Sequence, residues 1–431
     1  MYRVGKALVV VALAALAAAP LSAAGFGIFE QGAKANGMAG AFTAQADDPS
    51  ALFFNAGGLG FVTKQEFSLG FTWIRSSKAE FRGANPYPGV GYRADQKTLS
   101  EFPPHFYWVR PINNVWKFGF GIETPFGLTT EWNDNFAGRF ISTKAALRVF
   151  DLNPTLGWQV TPSFGIGVGA IVRYSDLELN QHVGAINPFT LGVADVGKIN
   201  LKGDFSEGYG WNIGILHKYN NSFSWGLSYR SRVTVDYEGN GRLTQIPTGT
   251  PFDQVVAGVL PYGVKLPVKT SIDYPDMASL GLAMALNPTM LLEVDVNWTG
   301  WSRFKDLNVD FTGGSGNSLP DATIHERWKD VYNYRAGFRW TTSPSGQWRF
   351  GYVYDQTPQP EQSVNPLLPD ADRNGFTIGY GFTGAMKVDL SLMYLDFKER
   401  SRSVSFADDT SGPFYGKYKT RAWLFGATVT F

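Results

Sequence analysis

Two basic side chains of this sequence have the type and the spacing to hold an anion. Arg173 lies on the polar side of an alternating segment, and Lys329 is in phase with Arg335 and Arg339 of another. A carboxylate in an apolar cavity is strongly destabilised, or takes up a proton, unless a cation pairs with it. We therefore predict that Arg173 and Lys329 bind a carboxylate ligand. Alternatively, they pair with acids on the same face, such as Asp151, Glu293 and Asp295.

The histidines and serines do not form the pattern of an enzyme. A serine hydrolase needs a serine in contact with a histidine and an orienting group. His182 and His325 fall in long loops, His217 lies by a short turn, and His105 has no flanking serine motif. The sequence has no GxSxG motif and no cluster of metal ligands. We predict no enzymatic activity, no metal and no cofactor, with a lipid hydrolase as the less favoured alternative.

The elements that would position these side chains are fourteen segments in which apolar residues alternate with polar or small ones, as in strands with one apolar face. Their bounds are Glu66–Arg75, Pro104–Pro111, Val115–Glu123, Arg148–Val160, Ser163–Ser175, Gly208–Tyr219, Phe223–Tyr237, Ala278–Leu286, Leu292–Trp298, Asp330–Trp340, Trp348–Tyr354, Phe376–Phe382, Val388–Tyr394 and Arg421–Phe431. Short turns alternate strictly with long loops, such as residues 176–207 and 238–277. This order and the even strand number predict an all-β fold, a fourteen-stranded antiparallel transmembrane β-barrel with both chain ends on the periplasmic side.

Residues 1–24 have the pattern of a cleavable secretory signal peptide, in which Arg3 and Lys6 precede an apolar run and small residues at 22–24. Without those two cations, 36 basic residues stand against 37 acidic ones, which predicts no nucleic-acid partner. The absence of cysteine excludes a disulfide framework, and no later run of 18 apolar residues supports a helical membrane protein. These features predict a bacterial outer-membrane protein.

Residues 25–62 lie between the leader and the first strand and belong to neither. They are rich in Gly, Ala, Asn and Asp and have no sustained period, but they contain ten large apolar residues: Phe26, Ile28, Phe29, Met38, Phe42, Leu52, Phe53, Phe54, Leu59 and Phe61. Disordered segments rarely carry so many side chains that need burial. We predict a hatch, or plug, inside a barrel formed by residues 63–431; the alternative is a disordered tail.

Short blocks spread over the whole mature chain carry a family resemblance. They are DDPSALFFNAGGL (Asp47–Leu59), TPFGL (Thr124–Leu128), NWTGWSRF (Asn297–Phe304), ERWKDVYNYRAG (Glu326–Gly337), YDQTPQP (Tyr354–Pro360) with LPDADR (Leu368–Arg373), and AWLFG (Ala422–Gly426). In these blocks the chain resembles the FadL/TodX family of outer-membrane channels for long-chain fatty acids and other hydrophobic compounds. The hatch motif differs, because Asn55-Ala56-Gly57 stands where the family has Asn-Pro-Ala.

The resemblance implies passive uptake without an energy source. A ligand would be caught among the outer loops, pass to an internal site near Phe26, and leave sideways into the bilayer at a kink in the third strand. Gly119, Gly121 and Pro125 are candidates for this lateral gate, since Gly weakens a strand and Pro cannot donate to its ladder. Long-chain fatty acids are the favoured ligands, and aromatic or other neutral hydrocarbons are the alternative.

Two outer-loop stretches carry apolar residues. Thr250 and Pro251 suit the start of a helix, one face of which would hold Val255, Val256, Val259 and Leu260. The second stretch contains Phe189 and Leu191. Apolar surface on loops usually binds something, so we predict a capture groove; alternatively, the two loops pack on each other.

The expected partners follow from the same features. A barrel in this membrane contacts outer-membrane lipid, and the alternating last strand ends in the aromatic Phe431, which resembles the signal read by the barrel assembly machinery. We expect a hydrophobic small-molecule ligand and a monomer.

Overall fold

The structure is a computed structural model that describes residues 25–76, 79–312, 319–409 and 412–431, so the predicted signal peptide lies outside the described residues. The described residues include three short helices, namely α1 (Ala33–Asn36), α2 (Ala51–Phe54) and α3 (Phe252–Ala257), with 3₁₀ helices at Ala56–Phe61, Trp301–Arg303 and Glu361–Ser363. The strands are β1 (Glu66–Ser76), β2 (Glu80–Gly83), β3 (Arg93–Asp95), β4 (Ser100–Glu101), β5 (Pro104–Pro111), β6 (Trp116–Glu123), β7 (Gly127–Glu131), β8 (Lys144–Thr161), β9 (Phe164–Asn187), β10 (Gly192–Asn220), β11 (Phe223–Arg230), β12 (Val233–Gln245), β13 (Lys265–Tyr274), β14 (Met277–Asn287), β15 (Met290–Thr299), β16 (Asp306–Phe311), β17 (Ala322–His325), β18 (Val331–Ser343), β19 (Gly346–Asp355), β20 (Arg373–Thr383), β21 (Lys387–Phe397), β22 (Arg400–Arg402), β23 (Gly416–Lys419) and β24 (Arg421–Thr430). No helix of the described ranges is long and apolar enough to cross a membrane.

The wall is a closed ring, because β1 pairs antiparallel with β24 from Ser68↔Thr430 to Ser76↔Ala422. Its fourteen members in chain order are β1, β5, β6 with β7, β8, β9, β10, β11 with β12, β13 with β14, β15, β18, β19, β20, β21 and β24. This confirms the predicted fourteen-stranded antiparallel β-barrel. The other strands belong to the long loops, where β2, β3, β22 and β23 form a separate four-stranded sheet.

Three sequence-based boundaries were wrong. Residues 238–277 are not a loop throughout, because β12 continues to Gln245 and β13 (Lys265–Tyr274) belongs to the wall. Residues 176–207 are not an irregular loop, because β9 and β10 continue through them as a tall hairpin. The predicted segment Phe223–Tyr237, the seventh along the chain, is not one continuous strand, because Ser231 and Arg232 separate β11 from β12. Alternation marks only strands that have one apolar face, and the upper part of the hairpin lacks such a regular face.

Aromatic pairs on the outside of the wall mark two levels. Near the long-loop ends, Trp211 contacts Tyr229, Tyr352 contacts Phe376 and Tyr394 contacts Trp423. Near the short-turn ends, Trp116 stacks on Trp158 and Trp348 contacts Tyr380. Aromatic girdles at both interfaces are typical of barrels that span a membrane.

Residues 25–62, here called the inner segment, lie within the ring of strands. Ten wall glycines of the described ranges leave room for them, since a Cβ at any of these positions would stand within 2.8 Å of an inner-segment atom: Gly119, Gly157, Gly165, Gly167, Gly214, Gly226, Gly281, Gly337, Gly351 and Gly379. The approach is closest at Gly167 and Gly226, where that Cβ would lie 2.1 Å from the carbonyl oxygens of Ala56 and Thr43. Glycine is required wherever two backbones approach so closely.

Two buried acids of β15 hold the middle of the inner segment. Asp295 accepts the backbone N–H groups of Phe42 and Thr43, both at 3.0 Å. Glu293 accepts the N–H of Ala44 at 2.5 Å and the Gln45 side chain at 2.6 Å. The suggestion that these two acids pair with Arg173 or Lys329 was therefore wrong, because they accept hydrogen bonds from the inner segment instead.

We expect Asp295→Ala to loosen the inner segment without opening the barrel. Two buried N–H groups would lose a charged acceptor, and hydrogen bonds to charged groups contribute about 1.5–3 kcal/mol each. Amide hydrogen exchange at residues 38–46 should accelerate by about tenfold or more. Glu238→Ala, at an exposed acid of β12, is the control and should leave that exchange unchanged; equal protection in both variants would contradict the tether.

Candidate functional site

The third wall strand is interrupted between β6 and β7. The pairing of β6 with β8 ends at Glu123↔Asp151, and that of β7 with β8 begins at Gly127↔Arg148. Residues 124–126 therefore form no ladder with β8, and Pro125 has no N–H to donate. Of the predicted gate residues, Pro125 lies in this interruption. Gly119 and Gly121 lie in the paired part of β6.

The start of the inner segment, residues 25–31, supplies the hydrogen bonds that the interrupted strand lacks. We call it the N-terminal arm. Ile28 N–H donates to the Pro125 carbonyl at 2.8 Å, and Gly127 N–H donates to the Phe26 carbonyl at 3.0 Å. The Gln31 side chain donates to the Thr124 carbonyl at 2.7 Å and accepts the Thr124 N–H at 3.0 Å. The arm thus acts as a short substitute strand beside the break.

The side chain of Phe26 fills an aromatic pocket. Only 5% of Phe26 is exposed. Its ring centroid lies 4.6–6.1 Å from those of Trp301, Phe304, Trp328, Phe126 and Tyr274. These are the edge-to-face distances that stabilise aromatic pairs. The Phe26 side chain therefore occupies an apolar pocket lined by five aromatic rings.

Gly25 and Asp370 fix the end of the arm. Gly25 has a φ of 63°, and a Cβ there would lie 2.6 Å from Trp328 and 2.9 Å from Trp301. Its N–H donates to the Asp370 carboxylate at 3.1 Å, and the Thr357 hydroxyl donates to the same oxygen at 2.6 Å. Burial raises the pKa of Asp370 to about 6, against the opposing effects of Arg373 and of the Thr357 hydrogen bond.

A cavity of about 380 Å³ adjoins the arm and the strand interruption. Phe26 of the inner segment lines one side of it, and Phe102 lines the other. Phe102 is 57% exposed and stacks on Trp73 of the outer wall surface. The cavity therefore extends from the interior towards the outer face of the wall, and its volume is in the range of small-molecule sites.

Two buried arginines and two buried acids meet beside this pocket. Arg173 donates two hydrogen bonds of 2.7 Å to Asp151, and its guanidinium lies 4.7 Å from the Phe126 ring and 4.6 Å from the Tyr274 ring. Arg230 donates to Glu123 at 2.6 Å. Among the described residues, Nη1 of Arg173 and Nε and Nη1 of Arg230 have no hydrogen-bond partner. These N–H groups are therefore buried donors without an acceptor.

The structure brings Phe26 and Arg173 together through Phe126 and Tyr274, but it does not bring Lys329 to them. Lys329 is exposed, precedes β18, and donates its N–H to the Pro358 carbonyl at 2.9 Å. Arg230 was not singled out from the sequence, although alternation places it on the interior face of its segment. Only the closed ring, which sets β11 opposite β6, shows that Arg230 reaches Glu123.

The hatch motif Asn55-Ala56-Gly57 holds the inner segment against the wall by hydrogen bonds and close packing. Asn55 donates to the carbonyls of Thr43 at 2.7 Å and Ile215 at 2.9 Å, and it accepts the Gly57 N–H at 3.0 Å. A 3₁₀ helix starts at Ala56, next to the wall. A Cβ at Gly57 would lie 2.5 Å from the backbone nitrogen of Leu216, so no larger residue fits there.

The two apolar outer loops pack on each other and also leave apolar surface exposed. Val256 and Leu260 pack in one cluster with Phe252 and with Val196 of β10. Helix α3 ends at Ala257. The prediction of one helical face that extends from Val255 to Leu260 was therefore wrong, because Val259 and Leu260 lie beyond the helix. The remaining predicted groove residues are exposed, at 54% for Val255, 75% for Val259, 59% for Phe189 and 86% for Leu191.

Known proteins share this architecture and sequence pattern. A family model described as "Outer membrane protein transport protein (OMPP1/FadL/TodX)" matches residues 14–431. The long-chain fatty acid transport protein of Salmonella typhi is 27% identical over 405 residues, which cover 90% of this chain and 88% of the relative. Outer membrane protein P1 of Haemophilus influenzae is 25% identical over 422 residues, covering 89% and 88%.

Solved structures show the same fold. A FadL homologue of Pseudomonas aeruginosa superposes with a TM-score of 0.83 at 21% identity, covering 95% of this chain and 99% of that one. The toluene transporter TodX of P. putida superposes with a TM-score of 0.69 at 16% identity, covering 95% and 99%. With its closed wall, its filled interior and a family match over almost all of its length, the chain belongs to the OMPP1/FadL/TodX family of outer-membrane transport proteins.

Proposed function

We propose that this outer-membrane transporter of hydrophobic compounds carries long-chain fatty acids passively and releases them sideways into the bilayer. The observation that carries the proposal is the cavity beside the interrupted third strand, which is lined by Phe26 and Phe126 of the aromatic pocket. Behind that lining, Arg173 packs against the Phe126 ring and Arg230 pairs with Glu123, and both arginines keep buried donors without a partner. Curated relatives described as long-chain fatty acid transport proteins support this ligand class. The family consists of transport channels rather than enzymes.

The first step is capture on the outer loops. Val255, Val259, Phe189 and Leu191 keep more than half of their surface exposed. The loops that carry them are joined where the Asn187 side chain donates to the Thr250 hydroxyl at 3.3 Å. Contact with an alkyl chain would bury this apolar surface, which contributes about 25 cal/mol per Å².

The second step is binding in the interior. A fatty-acid tail competes with the Phe26 ring for the aromatic pocket, and the carboxylate lies against the free N–H groups of Arg173 and Arg230. The charges of Asp151 and Glu123 neutralise those of Arg173 and Arg230. The attraction of the two arginines for a further anion therefore depends on their unpaired N–H donors. Lys329 remains a predicted ligand residue that would act nearer the loops.

The third step is lateral exit. Displacement of Phe26 pulls on the arm, whose backbone is bonded to Pro125 and Gly127. Once those bonds break, residues 124–126 have no strand partner on either side, and the cavity opens towards the lipid face. The ligand then enters the membrane without crossing the inner segment towards the periplasm.

A second candidate ligand class is aromatic or other neutral hydrocarbons. The pocket around Phe26 is lined by five aromatic rings, which suit such a ligand without using the arginines. In either case we propose a monomer without a cofactor. We also propose insertion by the barrel assembly machinery, which would read the last strand ending in Phe431.

We expect cells that lack this protein to take up oleate more slowly than cells that produce it. The reason is that the outer face of this membrane is a barrier to hydrophobic solutes, and the channel bypasses it. Uptake of radiolabelled oleate and of an alkylbenzene should be compared in the two strains. Equal uptake of both compounds in both strains would contradict the transport function.

The ligand class is tested by Arg173→Met combined with Asp151→Asn, which removes one cation and one anion together. We expect fatty-acid affinity to fall by about tenfold or more, since a charge-assisted hydrogen bond contributes about 1.5–3 kcal/mol. Toluene affinity should change little. The matched control is Arg349→Met with Asp389→Asn, a buried pair at 2.6 Å. Unlike Arg173, which packs on the Phe126 and Tyr274 rings, Arg349 belongs to a strand pair away from the aromatic pocket. Unchanged fatty-acid affinity in the first variant would exclude the Arg173 site.

The exit step is tested by a disulfide between Gly27→Cys and Phe126→Cys, which replace a bridged antiparallel pair in a chain without native cysteine. Directly opposed residues of antiparallel strands lie within disulfide reach. We expect oxidation to reduce oleate uptake by tenfold or more and reduction to restore it. Each single variant is a control that should not respond to oxidant. Equal uptake by the oxidised and reduced double variant would show that the arm need not leave the interruption.

A further inference from the structure

A second cavity of about 480 Å³ lies on the outer surface of the wall and shares no lining residue with the cavity beside the arm. One row of its apolar side chains runs across four neighbouring strands, since Ile215 pairs with Leu227, Leu227 with Leu280, and Leu280 with Val296. Leu227 and Leu280 are 42% and 45% exposed. The surface is therefore an apolar groove that faces the membrane.

The groove has a notch at its upper end because a small residue stands between large ones. Ala278 of β14 pairs with Tyr229 on one side and with Trp298 on the other. Ala278 follows the first residue of β14, at the end of the strand that joins a long loop. Because the long loops of such barrels are extracellular, the notch lies at the level of the outer leaflet.

Two arginines stand above the notch. Arg232 lies in the break between β11 and β12, and Arg303 ends the 3₁₀ helix that follows β15. Both are exposed. Arg232 is three residues beyond Tyr229, and Arg303 lies 3.9 Å from Asp276, the acid that accepts the Tyr229 hydroxyl. Within the described ranges, neither guanidinium donates a hydrogen bond to another side chain. Two cations with free donors thus stand over an apolar groove.

Two acids lie near these cations, and one of them, Asp276, forms a long ion pair with Arg303. Asp276 is buried, accepts the Tyr229 hydroxyl at 3.1 Å, and lies 3.9 Å from Arg303, which is beyond hydrogen-bond distance. Asp330, on the adjacent loop, accepts the Ser302 N–H at 2.8 Å. The carboxylates are thus partly engaged by other donors, while the guanidinium N–H groups remain open to a ligand.

We propose that this surface is a binding site for lipid A, with an acyl chain in the groove and a phosphate against Arg232 and Arg303. The outer leaflet of this membrane is built of lipids with several acyl chains and phosphates on a sugar headgroup. Arginine matches phosphate oxygens through two parallel hydrogen bonds. Basic clusters next to the membrane surface are the usual mode of anionic headgroup binding. The site is separate from the proposed transport route.

The test is retention of lipid A by the full chain, purified in detergent and examined by native mass spectrometry. Bisphosphorylated hexa-acyl lipid A is added to the delipidated protein, in parallel with its dephosphorylated form and with a glycerophospholipid of net negative charge. We expect the wild type to bind one lipid A at least tenfold more tightly than either comparison lipid. Arg232→Ala with Arg303→Ala should lose that tenfold preference, and Ala278→Phe, which fills the notch, should weaken the binding of all three lipids.

The matched control is Arg75→Ala with Arg421→Ala, at exposed arginines on the opposite side of the same rim. This variant should bind like the wild type. An equal loss in both double variants would reduce the effect to the general charge of the rim and overturn the proposal. Equal binding of lipid A and glycerophospholipid by the wild type would also overturn it. Heat-modifiable mobility on a gel checks that each variant is folded, and oleate binding should be unchanged in all of them.

Discussion

The structure depends on one constraint, which is that every backbone N–H and C=O group at membrane depth must have a partner. In hydrocarbon an unsatisfied group costs several kcal/mol, so a spanning sheet has to close on itself. The pairing of β1 with β24 meets this requirement at the seam. The third strand departs from it, because residues 124–126 have no ladder with β8. The N-terminal arm meets the requirement from inside by bonding to Thr124, Pro125 and Gly127.

The same arm fills the aromatic pocket, so closure of the wall and occupation of the interior depend on one short segment. Phe26 belongs to both, since its ring lies among Trp301, Trp328 and their neighbours while its carbonyl accepts the Gly127 N–H. The rest of the inner segment is held separately, by Glu293 and Asp295 and by the wall glycines. The arm and the remainder of the segment are therefore held by separate sets of contacts, as the proposed sideways exit requires.

The sequence predicted the elements that alternate and missed those whose environment is not one-sided. The wall strands have one apolar face, so their number and order could be predicted. The β9–β10 hairpin above residue 176 lacks a regular apolar face, and alternation gave no signal there. Glu293 and Asp295 were recognisable as interior acids, but their partners are backbone N–H groups about 250 residues earlier in the chain. Such pairings depend on ring closure and on the path of a segment without periodicity.

The charges beside the pocket explain why an interior so rich in ions still suits a hydrophobic ligand. Arg173 with Asp151, and Arg230 with Glu123, are buried as pairs, and removal of one member would leave an uncompensated charge. Paired in this way, they add no net charge to the lumen and do not repel an apolar tail. Each guanidinium nevertheless keeps at least one N–H group without a partner, and an unsatisfied buried donor is itself costly. A carboxylate head that meets those donors removes this cost, whereas a neutral hydrocarbon does not. This difference is the physical basis for proposing fatty acids ahead of neutral hydrocarbons as the ligand.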